Sequence, residues 1–333
     1  MGRRLTDQQR ARIARIQDDR RSRIEARVLS ALSGAATDVA LTGRVVVRHG
    51  QNLFVADEGG GLHHCLSRQN LGEVVCGDRV AWQPTGSGGV VIARLDRSST
   101  LSRPDYAGRD KAIAANITQV VVVVAARPEP NEYLVDQYLV AAEQIGVAAL
   151  IALNKIDLVE GAERDALLAR FAPYPAIGYP LVTVSAKRAQ GLMPLTERLR
   201  GQTSILVGQS GVGKSSLVNA LLPDREAQTG RLSETTGHGR HTTSATTLYH
   251  LPGGGELIDS PGVRSFRLGR LDRPQLEQGF RELRPYVGHC QFRDCSHAHE
   301  PGCAIRAAVD AGKIHAGRLA NFLHMAEGLA PRY

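Results

Sequence analysis

The chain has 333 residues, of which 42% are hydrophobic, and carries a formal net charge of +8 at pH 7. This length allows two or three domains with substantial cores, and the positive charge favours a polyanionic partner. The absence of a run of about 18 apolar residues argues against a membrane-spanning helix, and the start of the chain lacks the apolar core of a secretory signal. We therefore expect a cytoplasmic protein without a membrane partner.

The first 36 residues are rich in arginine. They contain nine arginines, no lysine and four acidic residues, so nine minus four leaves +5. The apolar residues in this segment form only a poor helical stripe. We interpret residues 1–36 as a basic, mobile or nascent helical extension, with a solvated tail that has no role as the alternative.

Residues 37–100 have a different pattern, in which short apolar runs alternate with glycine-rich turns. Strand-like runs include residues 43–47, 52–55, 72–75 and 78–82. Many short strands at close spacing predict a small all-β barrel, and an OB-fold fits this length. A β module with no role in nucleic-acid binding is the alternative.

From residue 101 to about 270, the pattern alternates between strands and helices. Residues 117–124 form a nearly continuous apolar run, typical of a strand that is buried on both faces. Asn131 is then a candidate helix N-cap, and Gly146 ends the apolar stripe of the helix. Four further strand-like runs each precede a polar motif: 147–153, 181–184, 204–207 and 257–258. Every motif is thus predicted at the carboxyl end of a strand, where open α/β sheets bind ligands.

The sequence Gly-x-x-x-x-Gly-Lys-Ser begins at residue 208 and has the form of a phosphate loop. Its glycines allow successive backbone N–H groups to point at a phosphate, and the helix that follows presents its positive end to the same anion. We expect Lys214 to contact the β and γ phosphates and the Ser215 hydroxyl to bind Mg²⁺. The predicted nucleotide-binding residues here are Gly208, Gln209, Ser210, Gly211, Val212, Gly213, Lys214, Ser215 and Ser216.

Two motifs before the phosphate loop predict a guanine site. A carboxylate that faces the N1 and N2 hydrogens of guanine rejects adenine, and Asp157 of the Asn-Lys-Ile-Asp motif is the candidate. Neither the Asn-Lys-Ile-Asp motif at residues 154–157 nor the Ser-Ala-Lys motif at residues 185–187 is specific alone. Together with the phosphate loop, they favour GTP over ATP. The residues assigned to the base are Asn154, Lys155, Ile156, Asp157, Ser185, Ala186 and Lys187.

The predicted catalytic switch departs from the usual pattern. Asp259 is expected to hold Mg²⁺ through water and the Gly262 amide to sense the γ-phosphate, but the next residue is Val263, where Ras-like enzymes have a glutamine that orients water. Intrinsic hydrolysis should therefore be slow unless another group orients the water.

His241 is the candidate for that group, because a neutral imidazole can position water or accept a proton. A histidine that only packs against the switch is the alternative. Thr242 is the predicted switch threonine on Mg²⁺, with Thr243 beside it. The predicted catalytic set is His241, Lys214, Thr242, Asp259 and Gly262, and the Mg²⁺ ligands are Ser215, Thr242 and Asp259.

A cluster of cysteines near the C-terminus predicts a metal site. Cys290, Cys295, His297 and Cys303 supply three thiolates and one imidazole, a set that suits one structural, tetrahedral Zn²⁺. His289 and His299 leave some ambiguity about the imidazole, and a reduced, loop-rich segment without metal is the alternative. Two further cysteines, Cys65 beside His63 and His64, and Cys76, are better explained as scattered core or surface residues than as a second metal site.

The order of the motifs resembles that of a circularly permuted GTPase, because the base motifs precede the phosphate loop. With residues 103–106, 239–243 and 259–262 and the cysteine spacing, the chain resembles the family of ribosome small subunit-dependent GTPase A, also called RsgA or YjeQ. The resemblance implies an N-terminal OB-fold β-barrel, a central α/β circularly permuted P-loop GTPase domain and a mostly helical zinc-binding domain. The corresponding limits are residues 1–36 for the extension, then 37–100, 101–270 and 271–333 for the domains.

The resemblance also implies a function. It implies GTP or GDP with Mg²⁺ and one structural Zn²⁺ as cofactors, and binding to the small (30S) ribosomal subunit and its rRNA. The protein would act late in maturation of that subunit and hydrolyse GTP faster when bound to it. By the same resemblance the zinc ligands fall on Cys290, Cys295, His297 and Cys303, and the catalytic histidine on His241.

Two other kinds of function stay open. One is a GTPase with a different client, such as a transfer RNA or a membrane target, although the motif order and the cysteine cluster argue against it. The other is an RNA-binding module whose affinity GTP regulates. We expect a monomer, because the sequence has no heptad seam.

Overall fold

The computed structural model describes residues 40–49, 52–67, 71–85, 88–104, 110–225, 246–260 and 271–329. Several predicted features lie outside the described residues: the basic extension 1–36, part of the 103–106 motif, and His241, Thr242, Thr243 and Gly262. The chain divides into two compact units, one reaching Val74 and continuing from Asp78 to Asp96, the other comprising Val75–Gly77 and the chain from Arg97. The predicted domain limits stay predictions.

The first unit is a closed barrel of five strands. The strands are β1 (Leu41–His49), β2 (Asn52–Asp57), β3 (Leu62–Ser67), β4 (Arg79–Thr85) and β5 (Gly88–Arg94). Their order is β1-β2-β3-β5-β4, and β4 pairs back with β1. The β3–β5 pair is parallel and the other pairs are antiparallel. This closure confirms the predicted OB-fold.

The barrel core is formed by alternate residues of its strands, as expected for a sheet with one buried face. The buried side chains include Val45, Val55, Cys65, Val80, Trp82 and Val91. One predicted strand is absent, because residues 72–75 form no strand. Gly72 has a φ of +68°, which lies outside the β region. The apolar side chain of Val74 is explained by its packing against the barrel core.

The second unit begins with a hairpin and continues as an α/β sheet. The hairpin comprises β6 (Thr100–Pro104) and β7 (Asp110–Ala115). The strands that follow are β8 (Gln119–Ala125), β9 (Ala148–Asn154), β10 (Leu181–Thr183), β11 (Thr203–Val207), β12 (Thr246–His250) and β13 (Glu256–Asp259). The helices between them are α1 (Glu132–Ile145), α2 (Gly161–Phe171), α3 (Pro173–Ala176), α4 (Leu192–Leu199) and α5 (Lys214–Leu221).

The strands of this sheet lie in the order β10-β9-β8-β11-β13-β12. All neighbours are parallel except β12, which is antiparallel to β13. After β8 the chain moves outward to β9 and β10, whereas β11 lies on the other side of β8 and leads to β13. The connections therefore diverge between β8 and β11, and their carboxyl ends form the crevice in which such sheets bind ligands.

Local sequence signals define α1 well. The Asn131 side chain accepts a hydrogen bond from the Leu134 N–H at 3.1 Å, and Gly146 adopts the left-handed conformation that ends the helix. Both ends are as the sequence predicts. The helix covers one face of the sheet, and its other side contacts the C-terminal part of the chain.

The C-terminal part of the second unit is mostly helical. It contains α6 (Arg273–Gly279), a 3₁₀ turn (Arg284–Tyr286), α7 (Ala304–Asp310) and α8 (Ala316–Glu327). Leu276, Phe280, Ile305 and Phe322 form its core together with Val140 of α1. None of the helices within the described ranges is long and apolar enough to cross a membrane.

Candidate nucleotide and metal sites

The phosphate loop lies between β11 and α5, and three of its residues must be glycine. Gly208, Gly211 and Gly213 have φ angles of +144°, +82° and +90°. A Cβ at Gly208 would lie 2.2 Å from the Val123 carbonyl oxygen, and one at Gly213 would lie 2.4 Å from the Asn154 amide nitrogen. The backbone therefore takes the curled shape that a bulkier side chain would prevent.

The side chain of Lys214 folds over this loop. Its Nζ donates to the carbonyl oxygens of Gly208 at 2.6 Å and Gln209 at 2.7 Å. Ser215 and Ser216 follow at the start of α5, and both are exposed. The ammonium group and the positive end of α5 thus lie at the same loop, which suits an anion with several negative charges.

Asn154 and Lys155 tie the predicted base motif to the phosphate loop. The Asn154 amide, 2% exposed, donates to the Val212 carbonyl at 2.9 Å and accepts from the Ala186 N–H at 3.2 Å. Lys155 donates from Nζ to the Gly211 carbonyl at 2.6 Å. Three loops that are far apart in the sequence are therefore joined through one buried amide.

Asp157 lies in the same group of loops as an ionised acceptor. The Ser185 hydroxyl, the main cause, holds the pKa of Asp157 below its usual value, and Arg188 lies 3.8 Å away. The Asp157 side chain is only 8% exposed. An ionised carboxylate is an acceptor only, so it matches two N–H donors such as those on one edge of guanine.

Asp259 stands at the end of β13, where it forms an ion pair that the sequence did not predict. Arg225 donates to its Oδ2 at 2.6 Å and also to the Asn219 side chain at 2.6 Å. A carboxylate and a serine hydroxyl are oxygen donors of the kind that Mg²⁺ prefers, so the chemistry of Asp259 and Ser215 fits that ion. Arg225 is then a protein cation that already contacts the same carboxylate.

The loop after β8 also contacts the phosphate loop. Gln209 donates to the Glu129 carbonyl at 3.3 Å. Arg170 of α2 binds the Glu129 and Glu132 side chains at 3.0 and 2.7 Å and the Pro130 carbonyl at 3.2 Å. No sequence signal links Arg170 to this loop, because it lies about 40 residues away in an ordinary amphipathic helix.

The four predicted zinc ligands come together in the second unit. Their donor atoms all lie within 4.8 Å of one another. The Cys290 and Cys303 sulfurs are 3.8 Å apart, and each lies 3.5 Å from His297 Nδ1. A tetrahedral zinc with Zn–S of about 2.3 Å and Zn–N of about 2.0 Å requires edges of roughly 3.8 and 3.5 Å, so the donor set fits zinc.

Glu277 of α6 lies beside the histidine of this cluster. Its carboxylate lies 3.4 Å from His297 Nε2 and also accepts from Arg273 at 3.0 Å. A carboxylate on the second ring nitrogen fixes the tautomer and directs Nδ1 toward the metal. The sequence did not predict this residue, because it lies outside the cysteine cluster.

The other cysteines belong to no cluster of metal-ligating side chains within the described ranges. Cys65 is buried in the barrel, which raises the pKa of its thiol to about 11. His63 and His64 contact Asp57 and Asn52 instead. Both Cys65 and Cys76 are buried.

Comparison with known proteins identifies the family. The family model described as RsgA GTPase matches residues 94–269. A curated protein of Azotobacter vinelandii named "Small ribosomal subunit biogenesis GTPase RsgA" is 46% identical over 340 residues, covering 99% of each chain. The chain belongs to the RsgA GTPase family. The resemblance inferred from its motifs is thereby confirmed, and the chain is a GTPase that uses GTP with Mg²⁺.

Other members of the RsgA family agree in sequence and fold. The protein of the same name from Chromohalobacter salexigens is 50% identical, covering 87% of this chain and 86% of the relative. The crystal structure of YjeQ from Thermotoga maritima superposes with a TM-score of 0.73 at 32% identity, covering 88% of this chain and all of that one. YloQ, described as a circularly permuted GTPase, gives a TM-score of 0.69 at 26% identity over 88% and 97% of the two chains.

Proposed function

We propose that this RsgA-family GTPase binds GTP at the carboxyl ends of β8, β9, β11 and β13 and hydrolyses it while bound to the small ribosomal subunit, in the late maturation of that subunit. One observation carries the nucleotide site: the buried Asn154 amide joins the phosphate loop to the loop of Ser185. That link supports recognition of the base and the phosphates in one crevice.

Within this site each motif has a separate role. Lys214 and the loop N–H groups neutralise and orient the phosphates, since the ammonium already lies over the loop. Asp157 selects guanine, and Ile156, Ala186 and Lys187 complete the walls of the base pocket. An adenine base would leave the carboxylate without donors, which explains a preference for GTP.

The switch residues complete the proposal. Ser215, Asp259 and Thr242 would hold Mg²⁺, which supplies positive charge to the β and γ phosphates during transfer. Gly262 would sense the γ-phosphate and His241 would orient the attacking water in place of the glutamine that Val263 replaces. A site without that glutamine depends on a partner to order it, which is why we expect stimulation by the ribosomal subunit.

We infer one structural zinc ion per chain at Cys290, Cys295, His297 and Cys303. These four donors leave no open position on a tetrahedral ion, so its role is to hold the surrounding loops together. With the metal bound, residues 287–303 would keep a single backbone conformation.

The small ribosomal subunit as partner is inferred from the relatives, whose name connects them with its biogenesis. The net charge of +8 and the OB-fold barrel support contact with rRNA, where basic residues dominate affinity and make it sensitive to salt. We further propose that the chain acts in the cytoplasm as a monomer.

Binding of the purified chain to isolated small and large subunits tests the partner. Co-sedimentation with a non-hydrolysable GTP analogue should retain the chain on small subunits, and GDP should release it. Equal retention on large subunits would point to a different RNA client.

A second experiment separates the GTPase from an RNA-binding module that GTP merely regulates. The His241→Ala variant should bind small subunits but lose turnover and fail to support maturation. Normal maturation by a variant that no longer turns over GTP would favour the module.

A further inference from the structure

The segment between β8 and α1, residues 126–131, lies against the phosphate loop, and we call it the β8–α1 loop. The Gln209 side chain donates to the Glu129 carbonyl oxygen at 3.3 Å. A Cβ at Gly211 would lie 3.8 Å from Cδ of Pro128, which is an ordinary van der Waals distance. The β8–α1 loop therefore borders the phosphate loop, and a shift of one changes the space that is left for the other.

The two ends of the β8–α1 loop are held by hydrogen bonds of their own. At its start, the Ala126 N–H donates to the Asn154 carbonyl oxygen at 3.1 Å, which ties it to the predicted base motif. At its end, the Asn131 side chain accepts from the Leu134 N–H at 3.1 Å and caps α1. The part that borders the phosphate loop lies between these two fixed points.

Arg170 of α2 binds this middle part. Pro128 and Pro130 have no backbone N–H, so they cannot donate hydrogen bonds that would stiffen the loop. Arg170 donates from Nε and Nη2 to the Glu132 carboxylate at 2.7 and 3.0 Å, and from Nη1 to Glu129 at 3.0 Å. Its Nη2 also donates to the Pro130 carbonyl oxygen at 3.2 Å. A planar guanidinium serves these acceptors together, whereas a lysine ammonium lacks that fixed geometry.

Arg170 extends from a helix that is fixed by packing. Phe171, the next residue, is fully buried, and Leu167, one turn earlier, is 7% exposed. The Phe171 ring also packs against that of Tyr174, with the ring centroids 5.6 Å apart. The stem of Arg170 therefore starts from a backbone that close packing holds in place.

We propose that Arg170 is a positioning residue for the phosphate loop and acts through the β8–α1 loop on Gln209 and Gly211. This inference rests on the proposed nucleotide site. The Arg170 side chain is 38% exposed and that of Glu129 is 78% exposed, so their pairing adds little to the stability of the fold. The effect is local instead, because without the guanidinium the β8–α1 loop gains freedom where it meets the phosphate loop.

The Arg170→Lys variant tests the proposal, since it keeps the positive charge and loses the planar guanidinium. The affinity for GDP should fall by about twofold to fivefold, and the ³¹P NMR signal of the β-phosphate of bound GDP should shift. The midpoint of thermal unfolding should stay within about 2 °C of that of the parent chain. Arg164→Lys, the same substitution on the same helix, is the matched control and should change none of these quantities.

A double-mutant cycle with Gln209→Ala tests the route through the β8–α1 loop. The combined loss of GDP affinity should be smaller than the product of the two single losses, because both changes affect one contact. A parent-like affinity and β-phosphate signal in Arg170→Lys, or single losses that multiply in the double variant, would overturn this inference alone. A parent chain that bound no GDP would overturn the proposed nucleotide site as well.

Discussion

The nucleotide site is assembled from loops far apart in the chain, whereas the zinc-type cluster is assembled from fourteen consecutive residues, 290–303. At the first, Asn154 and Lys155 join the loops by hydrogen bonds, and Lys214 braces the phosphate loop from within. At the second, three sulfurs and an imidazole lie within 4.8 Å of one another, and residues 287–303 contain no helix or strand.

From this contrast we expect the two sites to tolerate change differently. The nucleotide site depends on which strand ends meet at the sheet edge, and that is independent of the order in which the chain visits them. A permuted motif order therefore leaves the crevice intact. With the proposed zinc ion, the cluster would depend on a cation to hold donors that have little secondary structure around them.

Removal of the metal should have the largest effect. Structural zinc sites contribute roughly 10 kcal/mol or more of apparent binding free energy, so Cys295→Ser or a strong chelator should unfold the segment around α7. Hydrogen exchange should then rise sharply in α7 and α8 and change little in β8, β9 and β11. Cys65→Ala is the control and should keep one zinc per chain; protected α7 and α8 in the metal-free chain would contradict a structural role.

Asp157→Asn should change the base preference without unfolding the protein. An amide in place of the carboxylate turns an N–H donor toward the donors of guanine, so GTP affinity should fall by about 100-fold or more. Xanthosine triphosphate, which has a carbonyl at that edge, should bind better than GTP. Asp165→Asn, on the exposed surface of α2, is the control, and an unaltered preference for guanine would remove Asp157 from the base pocket.

Glu277→Gln should weaken the metal site without destroying it. Loss of a carboxylate behind a ligating histidine typically lowers metal affinity by about 10-fold to 100-fold. Competition with a zinc indicator measures this, with the exposed Glu327→Gln as control. A variant that keeps the parent affinity would show that His297 is oriented by its own backbone.

Arg225→Gln should have the smallest effect. Its pair with Asp259 is partly exposed, with side chains 30% and 33% accessible, and such pairs contribute little. Because Arg225 competes for the carboxylate, the Mg²⁺ concentration for half-maximal GTP binding should fall by about twofold to threefold. Arg198→Gln on the surface of α4 is the control, and an increased Mg²⁺ requirement would mean that Arg225 assists the ion instead.

The sequence predicted the framework of both sites and missed the contacts that support them. Short motifs predict Lys214 and Asp157 at strand ends and the metal-ligating cysteines in a segment without strands, because each motif is local. Contacts such as Arg225 with Asp259, 34 residues apart, and Glu277 with His297 arise only when the chain is folded. No local pattern distinguishes those residues from ordinary surface or helix residues.

The predicted strand at 72–75 was wrong for a related reason. Valines favour strands, but this run begins with Gly72 in the left-handed region. Val74 packs against the barrel core although its backbone is coil. The contrast with α1, whose Asn131 cap and Gly146 end were predicted correctly, shows that capping residues define element ends better than apolar runs define strands.

The most informative experiment is GTP turnover by the purified chain, alone and with small ribosomal subunits, with large subunits and ATP as controls. We expect slow turnover alone, strong stimulation by small subunits only, and no hydrolysis of ATP. Turnover that is the same with and without small subunits would contradict a GTPase that depends on the ribosomal subunit to complete its switch.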